Sequence, residues 1–272
     1  MLKRKLYNAC FIIGSFIMMS VTSIGKTPAT EPANAIKWID STEPCNCLPF
    51  TAKAEEKMPA IQLNKNASAF VKEYIKKNGF FLGRTKGRTA AYFSIMDAVF
   101  EQYELPVELK YLSFVESGLK YNSISRAGAV GPWALMPVAA KQYGLKITLH
   151  NDERFDYNKS TRAAAKLLND LYAQYGDWLL VIAAYNCGPG GVQKAIKRSG
   201  SHNYWALQSF LPEETRKHVK KFIAVHYYFE GHGSVTTMTK AETAQHLKAL
   251  ELFEAKQQEN NKIDSLSVAD LK

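Results

Sequence analysis

Apolar residues recur along most of the chain at the spacing of amphipathic helices. Between Thr89 and Tyr103, for example, they return every three or four positions, which predicts a helix over this segment. Residues that favour helix boundaries flank several other segments of the same kind. The pattern predicts further helices over 66–78 (ended by Gly79), 106–118, 160–176, 177–185, 212–229 and 240–257.

The residues at these boundaries have the expected asymmetry. Pro106 opens one helix and Gly118 closes it. We expect Ser160 and Asp177 to cap the helices that follow them, and Pro212 to open a long helix. No pair of alternating strands joined by a hairpin turn occurs, and there is no internal repeat. The sequence therefore predicts a mainly α fold.

Composition divides the chain into five parts. Residues 1–25 combine a basic start, a short apolar run and small residues, which predicts a secretory signal peptide; an uncleaved anchor is the alternative. Residues 26–60 are rich in proline and predict a flexible lead. We expect an N-terminal helical segment over 61–90, a main helical domain over 91–232 and a C-terminal tail helix over 233–272. The signal peptide predicts secretion.

The net charge of +10 over 272 residues favours anionic surroundings. Because no nucleic-acid-binding motif accompanies it, we expect an anionic cell envelope and no nucleic acid. The cysteines form no disulfide framework. Cys187 is interpreted as an incidental thiol, and a bridge to Cys45 or Cys47 is the alternative.

Glu116 is the candidate for acid–base chemistry. On a helix over 106–118, Glu116 shares a face with Leu109 and Leu112 and lies at the C-terminal end of that apolar stripe. Burial and the negative end of the helix dipole both favour the protonated carboxyl group. A general acid must hold its proton in this way. A solvated glutamate in a last helical turn is the alternative interpretation.

The segment after Glu116 is a long loop without acidic residues. No Asp or Glu occurs before Asp152, whereas glycoside hydrolysis normally uses two carboxyl groups. An enzyme with a single acid needs another nucleophile, and a sugar substrate can supply its own hydroxyl group. Glycines in the loop allow its backbone to approach a ligand, and Trp133 and Met136 offer apolar surfaces to sugar rings unless they belong to the core.

A second cluster, Ala183–Gly191, follows an apolar helix. Tyr185 lies on the apolar stripe, so its hydroxyl group needs a hydrogen-bond partner if it is buried. Glu116 is one candidate partner. The alternative is a core tyrosine bonded to the backbone, with Asn186 and Gly188 forming an ordinary helix end.

These segments resemble, in order and spacing, the family 1 lytic transglycosylases, and most closely their membrane-bound D type. The matching segments are Glu116-Ser117-Gly118, Ser125-Arg126-Ala127-Gly128-Ala129-Val130-Gly131, Trp133, Met136-Pro137, Tyr143-Gly144-Leu145, Gly176-Asp177-Trp178 and Ala184-Tyr185-Asn186-Cys187-Gly188. The resemblance covers roughly residues 92–229. It implies a lysozyme-like helical fold and cleavage of peptidoglycan glycan strands to 1,6-anhydro-N-acetylmuramic acid ends, with no metal or cofactor. It also implies that 91–232 is the catalytic domain, and that the protein is secreted across the inner membrane to the periplasm or cell envelope.

The resemblance also implies roles for individual residues. Glu116 would be the single acid and base, and Tyr185 would orient it. The implied substrate-binding residues are Ser117, Ser125, Gly131, Trp133, Met136 and Asn186. One position departs from the family pattern: Ala134 stands where a glutamine is usual, so a polar substrate contact is absent or supplied elsewhere, for example by Gln142.

Two other functions stay open at this point. A goose-type lysozyme-like hydrolase would need a carboxylate to position water, and the candidates are Asp152, Glu153 and Asp156, which we interpret as solvated loop charges. A non-catalytic peptidoglycan-binding protein is the third possibility, with Ala134 as its mark. His218 and His226 are predicted to be surface residues, because nothing completes a metal site around them.

Overall fold

The computed structural model describes residues 57–269, with side chains up to residue 263. The predicted signal peptide over 1–25 and nearly all of the lead over 26–60 lie outside the described residues. Within that range the regular secondary structure is helical, and β-type pairing is limited to isolated bridges such as the one between Val130 and Leu135. The predicted mainly α fold is confirmed.

We number the described α-helices in chain order. They are α1 (Lys65–Lys86), α2 (Ala90–Gln102), α3 (Lys110–Ser117), α4 (Pro137–Gln142), α5 (Tyr157–Tyr175), α6 (Trp178–Ser199), α7 (Tyr204–Leu207), α8 (Glu213–Glu230) and α9 (Lys240–Ala269). Short 3-10 segments cover Val107–Leu109, Glu153–Phe155, Gln208–Phe210 and Val235–Thr237.

Helix α1 is longer than predicted, because it continues through Gly79 to Lys86. A glycine inside a helix costs about 1 kcal/mol relative to alanine, but burial of Val71 and Leu82 on either side holds the helix together. Helix α1 packs against α8. At Gly83 a Cβ atom would lie 3.0 Å from the hydroxyl oxygen of Tyr228 on α8, so the small residue suits a close helix contact.

Most predicted boundaries lie within a residue or two of the observed ones, but α6 and α9 continue well beyond their predicted ends at 185 and 257. The predicted cap of α5 is wrong. The carboxylate of Asp156 accepts the backbone N–H of Lys159 at 2.8 Å and caps the helix. Ser160 lies inside the first turn and is buried. Aspartate is as good a cap as serine, and the sequence pattern alone does not choose between two candidates four residues apart.

The core surrounds the first half of α6, where every residue from Trp178 to Ala184 is buried. A helix that is apolar on all sides belongs at the centre of a bundle, and α6 contacts α5, α7 and α8. At Gly188 the backbone adopts φ +77° and ψ 157°, so the helix is kinked immediately before Pro189. The kink separates the buried half of α6 from its more polar second half.

Asp177 joins the start of α6 to the start of α9. One carboxylate oxygen accepts the N–H of Leu180 at 3.1 Å, and the other accepts the N–H of Lys240 at 2.7 Å. The predicted cap is therefore present, and it serves two helices. Burial raises the pKa of Asp177 to about 6, against the opposing effect of these backbone hydrogen bonds.

Among the helices within the described range, none combines the length and the apolar character that crossing a bilayer requires.

Candidate active site

Glu116 lies in the last turn of α3, and its position agrees with the apolar pattern of the sequence. Leu109 and Leu112 on the same face are fully buried. Gly118 ends the helix in the left-handed conformation, with φ +63°. The Glu116 side chain retains 15% of its exposure, so the carboxyl group is neither fully buried nor freely solvated.

The hydrogen-bond partner of Glu116 is His218, which the sequence analysis assigned to the surface. His218 Nε2 lies 2.8 Å from Glu116 Oε1, and the His218 side chain is only 9% exposed. The prediction of surface histidines is wrong for both His218 and His226, since both are buried. The spacing of His218, Phe222 and Val225 on one buried face of α8 was the signal that could have placed His218 inward.

Tyr185 does not bond to Glu116. Its hydroxyl group donates to the backbone carbonyl of Trp133 at 2.6 Å, as the alternative interpretation of a tyrosine bonded to the backbone required. Burial, and to a smaller extent the negative charge of Glu116, raise the pKa of Tyr185 well above its usual value. Tyr185 is thus a neutral hydrogen-bond donor close to Glu116, and its direct contact is with the loop after α3.

Side chains from three helices hold the Pro132–Trp133 corner of that loop. Ser113 and Ser117 of α3 both donate to the carbonyl of Pro132, at 2.8 and 2.9 Å. The Tyr185 hydroxyl group of α6 donates to the carbonyl of Trp133. The Trp133 indole N–H donates to Thr161 Oγ1 of α5 at 2.9 Å. The loop is therefore tied to the helix that carries Glu116.

Trp133 is fully buried and packs edge-on against Phe100 with ring centroids 5.6 Å apart. The prediction that Trp133 offers its surface to a sugar is therefore wrong, because the side chain belongs to the core. The carbonyl of the neighbouring Pro132 accepts a hydrogen bond from the Ser117 hydroxyl group. Ser117 therefore anchors the loop to α3.

Gly131 is likewise a packing position. A Cβ atom at Gly131 would lie 1.9 Å from the backbone oxygen of Arg154, and φ is +81°. Arg154 is buried, and its guanidinium donates to the carbonyls of Gly128 and Leu135, both at 3.0 Å. The close backbone approach at Gly131 is thus to Arg154, and contact of Gly131 with substrate stays a prediction.

Three other substrate-binding candidates keep exposed atoms. Ser125 is exposed, and its hydroxyl group accepts the N–H of Ala129 at 2.9 Å within a turn. Met136 is 44% exposed. Asn186 is half-buried, and its side-chain oxygen accepts the Thr215 hydroxyl group of α8 at 2.8 Å. Their contact with substrate remains a prediction.

Ala134 has a left-handed backbone, with φ +47°. A residue with a side chain pays roughly 1–2 kcal/mol for this conformation. Leu119, at the start of the same loop, is also left-handed, with φ +62°. The loop that follows Glu116 therefore carries backbone strain at both ends, held by the contacts of the Pro132–Trp133 corner.

The three carboxylates considered for water activation all have structural partners. Asp152 pairs with Arg154 at 2.7 Å, and hydrogen bonds from Arg154 lower its pKa. Glu153 pairs with Lys159 at 2.7 Å, and Asp156 caps α5. Asp156 is exposed, in agreement with the interpretation as a solvated charge, whereas the Asp152 and Glu153 side chains are largely covered. All three carboxylates hold their own segment.

Within the described residues Cys187 is a half-buried free thiol. The two cysteines proposed as its alternative partners, Cys45 and Cys47, lie outside that range.

The fold belongs to the lysozyme-like class of helical folds. The chain superposes on the 70-kDa soluble lytic transglycosylase in complex with bulgecin A with a TM-score of 0.52, covering 65% of this chain and 31% of that one. The sequences are 21% identical, so this likeness shows the fold alone.

Sequence comparison gives the family. A sequence model of the transglycosylase SLT domain matches residues 96–208. The chain is 33% identical over 214 residues to the membrane-bound lytic murein transglycosylase D of Escherichia coli strain K12, which covers 76% of this chain and 46% of that protein. These two findings support the assignment of the chain to the family 1 lytic transglycosylases.

A second relative is a putative tributyltin chloride resistance protein of Alteromonas sp. strain M-1. It is 36% identical over 110 residues, which cover 40% of this chain and 53% of the relative. The chain thus spans about half the length of the curated relatives it matches.

Proposed function

We propose that this chain is a peptidoglycan lytic transglycosylase that cleaves the β-1,4 bond between N-acetylmuramic acid and N-acetylglucosamine without hydrolysis. The observation that carries the proposal is the placement of Glu116 at the end of α3, with His218 on one of its carboxyl oxygens. The SLT domain supports it, and so does the similarity to a membrane-bound lytic murein transglycosylase of Escherichia coli.

In the proposed reaction Glu116 acts twice. Its carboxylic acid first gives a proton to the glycosidic oxygen, and the bond between C1 of the muramoyl residue and that oxygen breaks. The resulting carboxylate then removes the proton of the muramoyl C6 hydroxyl group while O6 bonds to C1. The substrate's N-acetyl group stabilises the positive charge at C1. Glu116 ends protonated, as it began, and the reaction as written uses no metal or cofactor.

The partners of the loop carboxylates favour a sugar nucleophile over water. Asp152, Glu153 and Asp156 are each committed to an ion pair or a helix cap. Recruiting one of them to hold water would break that contact. A C6 hydroxyl group on the substrate itself has an effective molarity on the order of 10⁵ M when it is well aligned. The goose-type hydrolase is therefore the second candidate.

We place the protein in the cell envelope, exported by the predicted signal over residues 1–25. The named relative is membrane-bound. A basic recess on the second half of α6, with Lys194, Lys197 and Arg198 on its wall, suits anionic envelope polymers. Peptidoglycan glycan strands are the proposed partner, and no nucleic acid is proposed.

The test is a digest of purified peptidoglycan followed by mass spectrometry of the soluble products. Trapping of C1 by the C6 hydroxyl group leaves muramic acid ends that are lighter than hydrolysis products by one water. A majority of reducing-end muramic acid would overturn the proposal in favour of the hydrolase. Binding to peptidoglycan with no soluble product would favour the non-catalytic alternative.

A further inference from the structure

We propose that His218 is a positioning residue that assigns different tasks to the two oxygens of Glu116. As the tautomer that carries its proton on Nε2, His218 donates to Oε1 and leaves Oε2 to give and take the proton. The inference rests on the proposed function, and it concerns a residue that the sequence analysis had placed on the surface.

The contact itself is well defined. His218 Nε2 and Glu116 Oε1 are 2.8 Å apart, and the two side chains are 9% and 15% exposed. The residues are 102 positions apart in the chain, and packing of α3 against α8 brings them together. One turn before His218, Thr215 donates to Asn186 at 2.8 Å, which ties this part of α8 to α6.

The other ring nitrogen indicates which tautomer is present. His218 Nδ1 is buried, and no hydrogen-bond partner for it occurs among the described residues. A proton on Nδ1, in the other tautomer or in the imidazolium ion, would leave a buried side-chain N–H donor unpaired, which is rare in folded proteins. The Nε2–H tautomer directs its only donor at Glu116 and leaves Nδ1 unprotonated.

This tautomer suits both protonation states of Glu116. When the carboxyl group is protonated on Oε2, the carbonyl oxygen Oε1 accepts from His218. When the group is ionised, Oε1 accepts the same hydrogen bond as a carboxylate oxygen. In the described part of the chain no group donates to Oε2. One fixed donor therefore serves both steps without reorganisation, as preorganised catalytic sites require.

Among the titratable groups of the described residues, Glu116 is the one that His218 contacts through a hydrogen bond. Glu116 approaches from α3. Tyr185 of α6 donates to the carbonyl of Trp133, and the charge of Glu116 contributes to the raised pKa of Tyr185. On α8 itself, Lys217 precedes His218 but pairs with Glu213 at 2.5 Å and is 57% exposed. Glu116 is thus the carboxyl group whose proton His218 can influence directly.

The experiment compares His218→Gln with His218→Ala on soluble glycan strands of defined length. Glutamine can place an amide N–H near the position of Nε2 but does not titrate, whereas alanine removes the donor. We expect His218→Ala to lower kcat by roughly 10- to 1000-fold with KM within about threefold of the wild type. We expect His218→Gln to restore kcat to within about fivefold of the wild type.

His226→Gln is the matched control, because it makes the same change on the same helix outside the site. Its kcat should equal that of the wild type below its unfolding temperature. Circular dichroism and thermal unfolding establish that each variant is folded. Unchanged kcat in His218→Ala would overturn the inference, and so would a loss in His218→Gln as large as that in His218→Ala.

The pH profile separates positioning from proton transfer through the imidazole. If His218 only positions Glu116, the dependence of kcat on pH in His218→Gln keeps both the acidic and the basic limb of the wild-type profile. Disappearance of one limb would show that the imidazole itself carries the proton, and would overturn the inference. Failure of the proposed function is seen separately, because the wild-type protein would then release no anhydro product.

Discussion

Helix α8 carries two buried histidines whose surroundings differ at its two ends. His218 bonds to the carboxyl group of Glu116, and His226 bonds to the hydroxyl group of Ser234 at 2.9 Å. In both rings Nδ1 is buried and has no partner among the described residues. The rings are therefore alike in burial and in hydrogen-bond number, and the chemistry of the partner distinguishes them.

The surroundings of His226 are those of a structural residue. The ring is fully buried and packs edge-on against Tyr111 with centroids 5.6 Å apart. Burial lowers the pKa of His226 to about 3, with smaller contributions that include the charge of His232. A neutral hydroxyl partner gives no charge to offset the burial. Burial of a histidine therefore says little about function until its partner is known.

The backbone also differs between the end of α8, near His226, and the loop after Glu116. At the end of α8 the left-handed position is taken by Gly231, with φ +80°, where no side chain is strained. In the loop after Glu116, Leu119 and Ala134 occupy the left-handed region with side chains. Strain is thus retained beside the candidate catalytic group and avoided at the structural end.

The largest effect is expected from Glu116→Gln, which removes the partner that makes His218 different from His226. The amide keeps an oxygen for His218 but delivers no proton, so turnover should fall by roughly 10²- to 10⁴-fold. The release of anhydro products from purified peptidoglycan measures this loss. Thermal unfolding should change little, and a variant that kept most of its turnover would show that another residue is the acid.

A smaller effect is expected from Tyr185→Phe. The hydroxyl group binds the Trp133 carbonyl, so its removal loosens the loop beside Glu116 and leaves Glu116 bonded to His218. We expect turnover to fall about tenfold and the free energy of unfolding to fall by about 1 kcal/mol. Kinetics with unchanged turnover and a clear loss of stability would make Tyr185 a structural residue like His226.

The pH dependence of stability tests His226 directly. Its pKa is lowered to about 3 in the folded protein, whereas an unfolded histidine titrates near 6.5. Below about pH 6.5 the unfolded chain binds a proton that the folded protein excludes, so the stability present above that pH is lost as pH falls toward 3. Between pH 7 and pH 5 this contribution is about 2 kcal/mol.

Urea unfolding of the wild type and of His226→Gln at both pH values measures the contribution. The variant is expected to be less stable than the wild type at both pH values. Between pH 7 and pH 5 its free energy of unfolding should fall by about 2 kcal/mol less than that of the wild type. Equal losses in the two proteins would contradict the assignment of His226 as a buried neutral ring.

The smallest effect is expected from Ala134→Gly. Glycine relieves the left-handed strain at φ +47° but also makes the unfolded chain more flexible, so we expect a net gain of about 0.5–1 kcal/mol in the free energy of unfolding. Turnover should stay within about twofold of the wild type, because no side-chain hydrogen bond is lost. A loss of stability would show that the alanine side chain makes contacts that outweigh its backbone strain.

The sequence by itself determined the features that depend on neighbours a few positions away. The face shared by Leu109, Leu112 and Glu116 follows from the helical repeat, and so does the continuous apolar surface at the start of α6. Asp177 was predicted as a cap because a capping side chain binds backbone groups two or three residues ahead. These relations are local, and the structure retains them.

Tertiary structure alone decided the partners. Glu116 meets His218 across 102 residues, and Tyr185 reaches the Trp133 carbonyl across 52. No periodicity within one helix can specify such pairs, because they depend on how two helices dock and on which buried polar groups remain to be satisfied there. Spacing could place His218 on the inner face of α8, but only the packing of α8 against α3 decided that a carboxyl group would meet it.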